Sequence, residues 1–497
     1  MSVNALIFTE LQHPVVNFSR TSGAYRIATE IRKAGYTCQV VDFFSKFSDD
    51  EMKRITDEMI GDDTLIIGVS TTFLEPNNPE RLNASGEPGY PTNMFTELNL
   101  RNKAFHIWLD RLQTEWPKLK VVIGGAFSHR YKELGDALVY GSGDSVIVSY
   151  MRFLQGTNPF LQFEKLDDTT IVLDGTTHPF NFSESTIEWH PSDHLQHAEV
   201  LPIELSRGCI FKCSFCAFPL NGKKKLDYLK SDSVLRDEFI RNYYEYGVTR
   251  YMYNDDTHNE SIEKIERIHR VVTSLPFEIE YASYIRLDLL HAHKETASLL
   301  RESGLRAALF GIESLNYESA KAIGKGMHPE KVKEMLYWLR EDVWKDEVST
   351  TGAFIVGLPH DSEDTINSWI EWVLDPACPL HVVVISPLTL ERDNVYQSDF
   401  ITNAEKHGYV LHGNNNWSNE FFTADSARQL TAALNEKRIR AGYGAFPLIG
   451  LANLGYEPRD LIPRRLTGDD LEQIRIRRLL YINGYKERLL SSLPKSS

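Results

Sequence analysis

Arg207-Gly208-Cys209-Ile210-Phe211-Lys212-Cys213-Ser214-Phe215-Cys216 is the most informative stretch of this 497-residue chain. It follows an apolar run at 201–206 that reads as a strand. Three of the five cysteines fall within these residues. Clustered thiols in a long chain point to metal binding or catalysis, whereas disulfide frameworks suit small secreted domains. Spacings of three and two residues let one loop wrap a corner of a cube. A [4Fe–4S] cluster usually takes four cysteines, so three leave one iron open to a substrate or cofactor. The alternative is zinc, which favours Cys-x2-Cys pairs or Cys/His sets that close four ligands. His178, His190, His194 and His197 lie upstream and keep a Cys3His site open. Cys38 and Cys378 stand apart and read as packing residues.

Working outward, strand patterns at 201–206, 250–254, 278–284, 307–313, 349–356 and 381–386 alternate with helical ones. Six such units are too few for an eight-fold barrel and suit a partial one. Upstream, strand patterns at 5–8, 39–42, 65–70, 121–124 and 137–140 alternate with helical spacing at 24–34, 51–60, 101–116 and 144–154. This alternation predicts a doubly wound, Rossmann-like α/β domain with its ligand site at the carboxyl ends of the strands. The loop at 70–93, Gly124-Gly125 and Gly141-Ser142-Gly143 fall there, the last opening a helix whose N–H groups can hold an anion. Residues 156–200 are irregular and polar and read as a surface linker with one hairpin at 171–175. Residues 391–497 carry helical patterns. The expected organisation is therefore a Rossmann-like domain (1–155), a linker (156–200), a partial barrel (201–390) and a mainly helical cap or substrate domain (391–497).

Composition is that of an ordinary globular protein, 42% hydrophobic and 25% charged. No run of about 18 apolar residues predicts a membrane span. The start, MSVNALIFTELQHP, lacks a signal-peptide pattern, so the expected location is cytoplasmic. A net charge of −15 argues against a general nucleic-acid binder, because phosphates call for a basic footprint. A small molecule or peptide substrate is expected instead. Residues 391–497 are mildly basic, with 15 Lys/Arg against 13 Asp/Glu and an arginine run at Arg464, Arg465, Arg475, Arg477 and Arg478. A solvated helix face or an acidic partner accounts for that run.

Cys-x3-Cys-x-aromatic-Cys after the first strand of a (βα)6 barrel, with Phe215 before the last Cys, resembles the signature of the radical S-adenosylmethionine (SAM) superfamily. The resemblance covers about residues 200–390. It implies a [4Fe–4S] cluster on Cys209, Cys213 and Cys216, whose open iron binds SAM. Reductive cleavage then yields methionine and a 5′-deoxyadenosyl radical, the electron coming from a partner such as flavodoxin or ferredoxin. The cofactors carry the hard chemistry, and the protein aims and shields it. The resemblance also implies SAM contacts from Phe215, from Asp255 and Asp256 after the second strand, and from Tyr284 and Arg286 after the third. Glu313 and Ser314 would follow from the fourth, Gly357 and Pro359 from the fifth, and Ser386-Pro387-Leu388 would close the site. His360 stands where a Gly often follows Pro359. No residue is assigned the role of quenching or deprotonating the substrate.

The amino-terminal domain resembles the cobalamin-binding domain of one large subgroup, through Gly68-Val69-Ser70-Thr71, Val122-Ile123-Gly124-Gly125 and Gly141-Ser142-Gly143-Asp144. The Asp-x-His-x-x-Gly motif that ligates cobalt is missing after Val41-Asp42, where Phe43-Phe44-Ser45 stands. The domain therefore either binds cobalamin without that ligand or keeps the fold for packing or substrate binding. His106 and His129 are histidines that could reach cobalt from elsewhere. With cobalamin, the implied reaction is C-methylation; without it, direct hydrogen abstraction leading to rearrangement, cyclisation or epimerisation. Methylthiotransfer would need three more amino-terminal cysteines. A non-enzymatic, metal-stabilised binding protein would have no need of the SAM-shaped set. A nicotinamide Rossmann enzyme would need Gly-x-Gly-x-x-Gly where Thr9-Glu10-Leu11-Gln12 stands.

Overall fold

The computed structural model describes residues 2–10, 19–72, 103–158, 160–176, 180–443, 448–457 and 467–494. Most of the 70–93 loop, His178, Arg464, Arg465 and the side chain of His106 lie outside the described residues.

The first layer is built on β1 (Ala5–Phe8), β2 (Cys38–Val41), β3 (Ile66–Ser70), β4 (Lys120–Gly124) and β5 (Ala137–Tyr140). Helices α1 (Ser22–Lys33), α2 (Asp49–Met59), α3 (Lys103–Glu115) and α4 (Gly143–Leu154) cover both faces. These strands are parallel and almost wholly apolar, as burial on both faces demands. Along β1, Ala5 and Ile7 face one core while Leu6 and Phe8 face another.

The expected linker is not one. Residues 156–200 contribute β6 (Glu164–Lys165) and β7 (Ile171–Asp174), giving a seven-stranded sheet in the order β2-β1-β3-β4-β5-β7-β6. The β7 strand pairs parallel to β5 and antiparallel to β6. Val172 and Leu173 are buried, so the polar composition around a four-residue strand concealed a sheet element.

A second sheet holds six parallel strands in sequence order: β8 (Leu201–Ile203), β9 (Arg250–Tyr253), β10 (Glu280–Ile285), β11 (Leu305–Glu313), β12 (Ser349–Val356) and β13 (Val382–Pro387). β8 and β13 are its edges, so the barrel is open. Its outer helices include α5 (Asp232–Tyr246), α6 (Ile262–Thr273), α7 (Leu287–Ala292), α8 (Thr296–Glu302), α9 (Tyr317–Ala322), α10 (Pro329–Trp338) and α11 (Glu363–Leu374). The carboxyl-terminal region adds α12 (Asp399–Thr402), a hairpin of β14 (Val410–Gly413) and β15 (Asn416–Ser418), α13 (Ala424–Arg440) and α14 (Gly468–Ser492).

Two features of that region shape the site. A 3-10 segment, Leu448–Leu454, plugs the amino-terminal mouth of the barrel, packing Ile449 on Met252, Ala282 and Ala307. Val200 N donates to Asn453 Oδ1 at 2.6 Å beside it. Helix α14 instead reaches the first domain, where Tyr485 Oη donates to Val40 O at 3.3 Å and Phe43 packs edge-on to Tyr481 and Tyr485. The described part of the arginine run is absorbed structurally: Arg478 is buried, Arg475 pairs with Glu472, and Arg477 stacks on Tyr456. No described helix is long and apolar enough to cross a membrane.

Candidate functional site

The cysteine loop leaves β8 and folds back on itself. Gly208 has φ +75°, and a Cβ there would sit 2.5 Å from Leu220 Cβ, so the turn needs glycine. Gly222 N closes the loop onto Cys209 O at 2.7 Å. Each cysteine sulfur meets a polar group: Thr257 Oγ1 lies 3.3 Å from Cys209, Arg286 Nη1 3.3 Å from Cys213 and Asn221 Nδ2 3.2 Å from Cys216. Burial pushes the Cys209 and Cys216 thiols above their ordinary values. They would give up their protons to iron far more readily than to water. Among the described residues no three His, Cys, Asp or Glu side chains converge on one point as the ligands of a single ion do. Three thiolates that each take a different corner of a cube need no such convergence. Of the described upstream histidines, His190 bonds Ser192, His194 lies against Tyr485 and Ser492, and His197 lies against Gly247, all away from the loop.

The expected SAM contacts divide. Phe215 and Asp256 line the large cavity described below. Asp256 has no ion pair among the described residues, and burial followed by the neighbouring Asp255 charge raises its carboxyl to about 6. Asp255 faces the other way. Its carboxylate accepts from Leu205 N (2.8 Å) and Ser206 N (3.0 Å) and pairs with buried Lys264 at 2.8 Å, so it braces the first two strands and has no capacity left for SAM. Both acids lie in the turn past the end of β9, and the hydrogen bonds and ion pair that hold Asp255 leave Asp256 to face the cavity.

Arg286 is at the site but committed. Asp288 grips it at 3.0 and 2.6 Å, and its guanidinium lies 3.9 Å over the Phe211 ring. It therefore supports the cysteine loop rather than standing free for a carboxylate. Tyr284 points into the lower barrel with Ile449, and burial raises its phenol to about 12. Glu313, at φ +67°, pairs with Lys325 at 2.8 Å. A bulky residue in that conformation costs about 1–3 kcal/mol and clusters at functional sites. Ser314 donates to buried Asp361 at 3.2 Å. Gly357 O accepts from Tyr409 Oη (2.8 Å), and Pro359 O accepts from Ser319 Oγ (2.7 Å). Gly357 thus ties the fifth strand end to the cap, while Ser314 and Pro359 tie the segments after the fourth and fifth strands to each other; none lines the cavity. His360 adopts φ +64°, taking the left-handed turn where a Gly was expected.

The cavity, about 1530 Å³, lies between the two sheets. The barrel contributes Phe215, Cys216, Asn254, Asp256, Ser386 and Pro387. The first domain contributes Gly68 and Ser70 after β3, Gly124-Gly125 after β4 and Gly141-Ser142-Gly143 after β5, all at carboxyl ends. It also runs between the sheet and α1 and α4, past Ile7, Ile27, Val122 and Ile147. A smaller cleft of about 520 Å³ between α11 and α13, beside Glu371 and Lys437, is remote from the cysteines.

Two ionic groups join the domains at this cavity. Asp144, in the first turn of α4, pairs with Arg207 at 2.7 Å and Arg26 at 3.1 Å, while Glu204 pairs with the same two arginines at 3.1 and 3.3 Å. Both guanidiniums lie over Phe182, at 4.9 and 5.7 Å. On the opposite wall Glu391, after β13, binds Arg130 and accepts a hydrogen bond from His129 Nε2 at 3.0 Å. Sequence reasoning missed Arg26, Glu204, Thr257, Asn221 and Asp288. Only Asp288, two residues past Arg286, carried a local signal.

Comparisons with known proteins agree with this geometry. Residues 203–373 match the model of the Radical SAM superfamily. The chain is 25% identical over 167 residues to an uncharacterized methyltransferase of Pyrococcus horikoshii, covering 34% of this chain and 35% of that protein. It is also 25% identical over 181 residues to a bacteriochlorophyllide d C-12(1)-methyltransferase of Chlorobaculum tepidum, covering 36% and 38%. The chain thus spans little more than a third of these curated relatives. Among solved structures, the radical SAM methyltransferase TsrM of Kitasatospora setae, with cobalamin and a [4Fe-4S] cluster bound, superposes with a TM-score of 0.63 at 15% identity, covering 97% of this chain and 100% of that one. The cobalamin-dependent radical enzyme OxsB, with aqua-cobalamin and SAM bound, gives 0.62 at 11% identity, covering 97% and 72%. At these identities the likeness is one of fold.

Proposed function

We propose that this chain, whose residues 203–373 match the Radical SAM superfamily, is a cobalamin-dependent methyltransferase acting on a carbon centre. The observation that carries this reading is the single 1530 Å³ cavity shared by the cysteine loop and the carboxyl ends of the first sheet. Its volume exceeds the ~300–1,000 Å³ of a pocket for one small molecule, which leaves room for two cofactors and a substrate.

The residues present fit both groups. For the cluster, the donor set is three thiols, each with a polar group at 3.2–3.3 Å from its sulfur. Such outer contacts tune a cluster's potential. For cobalamin, the first domain offers a cavity wall of glycines packed too closely by their neighbours to carry side chains. A Cβ on Gly125 would meet Thr72 Oγ1 at 2.8 Å, on Gly141 Tyr396 Oη at 3.0 Å, and on Gly143 Ile27 Cδ1 at 2.9 Å. Gly68, Gly125, Gly141 and Gly143 would admit the corrinoid, and the slot beside Ile27 and Ile147 would take its nucleotide arm. When bound, methylated cobalamin supplies a methyl group, and the cluster with SAM supplies the radical.

The chain's own residues do the rest. Ile7, Val122, Val139 and Ile147 keep water out of the slot, which strengthens every polar contact inside. Asp256 offers a carboxylate to the SAM ammonium from the second strand end. Phe43 and Phe44 are buried against the α14 side of the sheet and do not reach the cavity. Among the described residues His129 is the one histidine on the cavity wall, and Glu391 holds its Nε2.

Anaerobic reconstitution tests the reading. Iron near four per chain, a cobalamin spectrum and S-adenosylhomocysteine formed with a methylated product are the expected results. Cys213→Ala should lose the iron. Full SAM cleavage to 5′-deoxyadenosine without any cobalamin bound would move the enzyme to direct hydrogen abstraction.

A further inference from the structure

Four charged side chains run in one line behind the cysteine loop, and none of them lines the cavity. Lys223 closes the loop, its amide donating to Cys209 O at 3.3 Å. Its ammonium pairs with Glu260 at 3.0 Å, and both side chains are 1% exposed. The Glu260 carboxylate is shared with Lys264 at 3.4 Å, and Lys264 pairs in turn with Asp255 at 2.8 Å. Asp255 accepts from the amides of Leu205 and Ser206, where the loop begins. The line Asp255, Lys264, Glu260, Lys223 therefore joins the two ends of the loop that carries the three thiols.

Fastening alone does not call for charge. Apolar groups of similar volume often replace a buried ion pair at no loss of stability, and the Lys223 amide already ties the loop. Glu260 Oε2 is moreover buried with no hydrogen-bond partner among the described residues, an arrangement that costs stability. What the carboxylate does contribute is an unscreened negative charge close to a cluster ligand. Burial first raises the Cys209 thiol, and the charges of Asp256 and Glu260 raise it further. A charge that opposes the thiolate also opposes an electron added to iron bonded to that sulfur, because net charge and its surroundings set a cluster's potential.

We propose that the buried Lys223–Glu260 pair sets the reduction potential of the cluster, the carboxylate lowering it and the ammonium raising it. The inference rests on the radical SAM reading and makes both side chains positioning residues. The couple is one electron, which the cluster gains and the external reductant loses; no proton or group moves.

A mediated dithionite titration of the reconstituted protein without SAM, followed by paramagnetic resonance of the reduced cluster, reads the midpoint. Glu260→Gln should raise it and Lys223→Met should lower it. Each shift should be about tenfold in the reduced-to-oxidised ratio, or about 59 mV for a one-electron couple. Mere fastening would move both variants the same way, since each breaks the same bridge. The Lys223→Met/Glu260→Gln double variant, neutral again, should fall between them. Lys225→Met breaks the Lys225–Glu263 pair of the same loop, whose side chains are 55% and 53% exposed; water and salt screen that pair, so the parent's midpoint should persist. Shifts of one sign, no shift in Glu260→Gln, or loss of its iron would overturn the proposal. Should Lys223→Met alone lose iron, the upward shift of Glu260→Gln against an unmoved Lys225→Met decides. A parent that holds no reducible iron–sulfur cluster would instead overturn the radical SAM reading.

Discussion

Asp144→Asn perturbs the joint between the two domains at one atom. Asp144 is 3% exposed and takes hydrogen bonds from Arg207 (2.7 and 3.1 Å) and Arg26 (3.1 Å). Burial alone would raise its carboxyl, yet Arg207 and then Arg26 pull it from 3.8 down to about 2. At about 1.4 kcal/mol per unit, the charge contributes roughly 2–3 kcal/mol to stability. Asparagine keeps the size and one acceptor but loses the charge, leaving Glu204 to balance two arginines. The cost should sit near that figure and below the ~3–5 kcal/mol of breaking a buried pair outright. Thermal unfolding at pH 7 should show a midpoint lower by roughly 5–10 °C, given about 2–4 °C per kcal/mol for domains of this size. Because the folded value is depressed, the difference from the parent should be full above about pH 5. It should shrink as pH falls through 3.8 toward about 2. Equal midpoints at pH 7, or a difference that does not shrink in acid, would refute the reasoning.

Arg286→Ala removes the donor to Cys213 and the stacking partner of Phe211; cluster retention, followed by iron content during anaerobic dilution, should weaken by about 1.5–3 kcal/mol. Gly357→Ala places a Cβ 2.5 Å from Trp417 Cη2 at φ +103°, and overpacking with backbone strain should cost about 2–4 kcal/mol in denaturant unfolding. Glu391→Gln loosens the grip on Arg130 and His129, so amides around 127–131 should exchange about tenfold faster while amides of β9 and β10 keep their rates.

What the sequence discloses depends on how local the signal is. The cysteine spacing lies within one loop, and the strand-helix alternation is periodic, so the cysteine loop after a strand and eleven parallel strands of the two sheets could be read directly. Asp255 and Asp256 could not be told apart, because which of two neighbouring carboxylates faces the cavity depends on Lys264 packing behind the strand. The Arg26, Asp144, Glu204 and Arg207 network joins residues from two domains, far apart in sequence, and leaves no periodic trace. Arg286 shows a subtler failure: its position was legible, but its partner Asp288 decides what its guanidinium can hold. The joining of β6 and β7 to the first sheet was hidden because three apolar residues in a polar segment, Ile171 to Leu173, suit an isolated hairpin as well as a sheet strand.

The contact between α14 and the end of β2 bears on how the molecule comes into being. Tyr485 Oη accepts from the amide of Asp42 at 2.9 Å across 443 residues of chain. On a ribosome adding about 5–20 residues per second, that amide waits roughly 20–90 s for its partner. Phe43 and Phe44, which end up buried near Tyr481 and Tyr485, wait with it. Two aromatic rings bare for so long are a holding point for chaperones. The first domain is thus begun early and completed late, and the cavity that it walls cannot take its final form before α14 has been made.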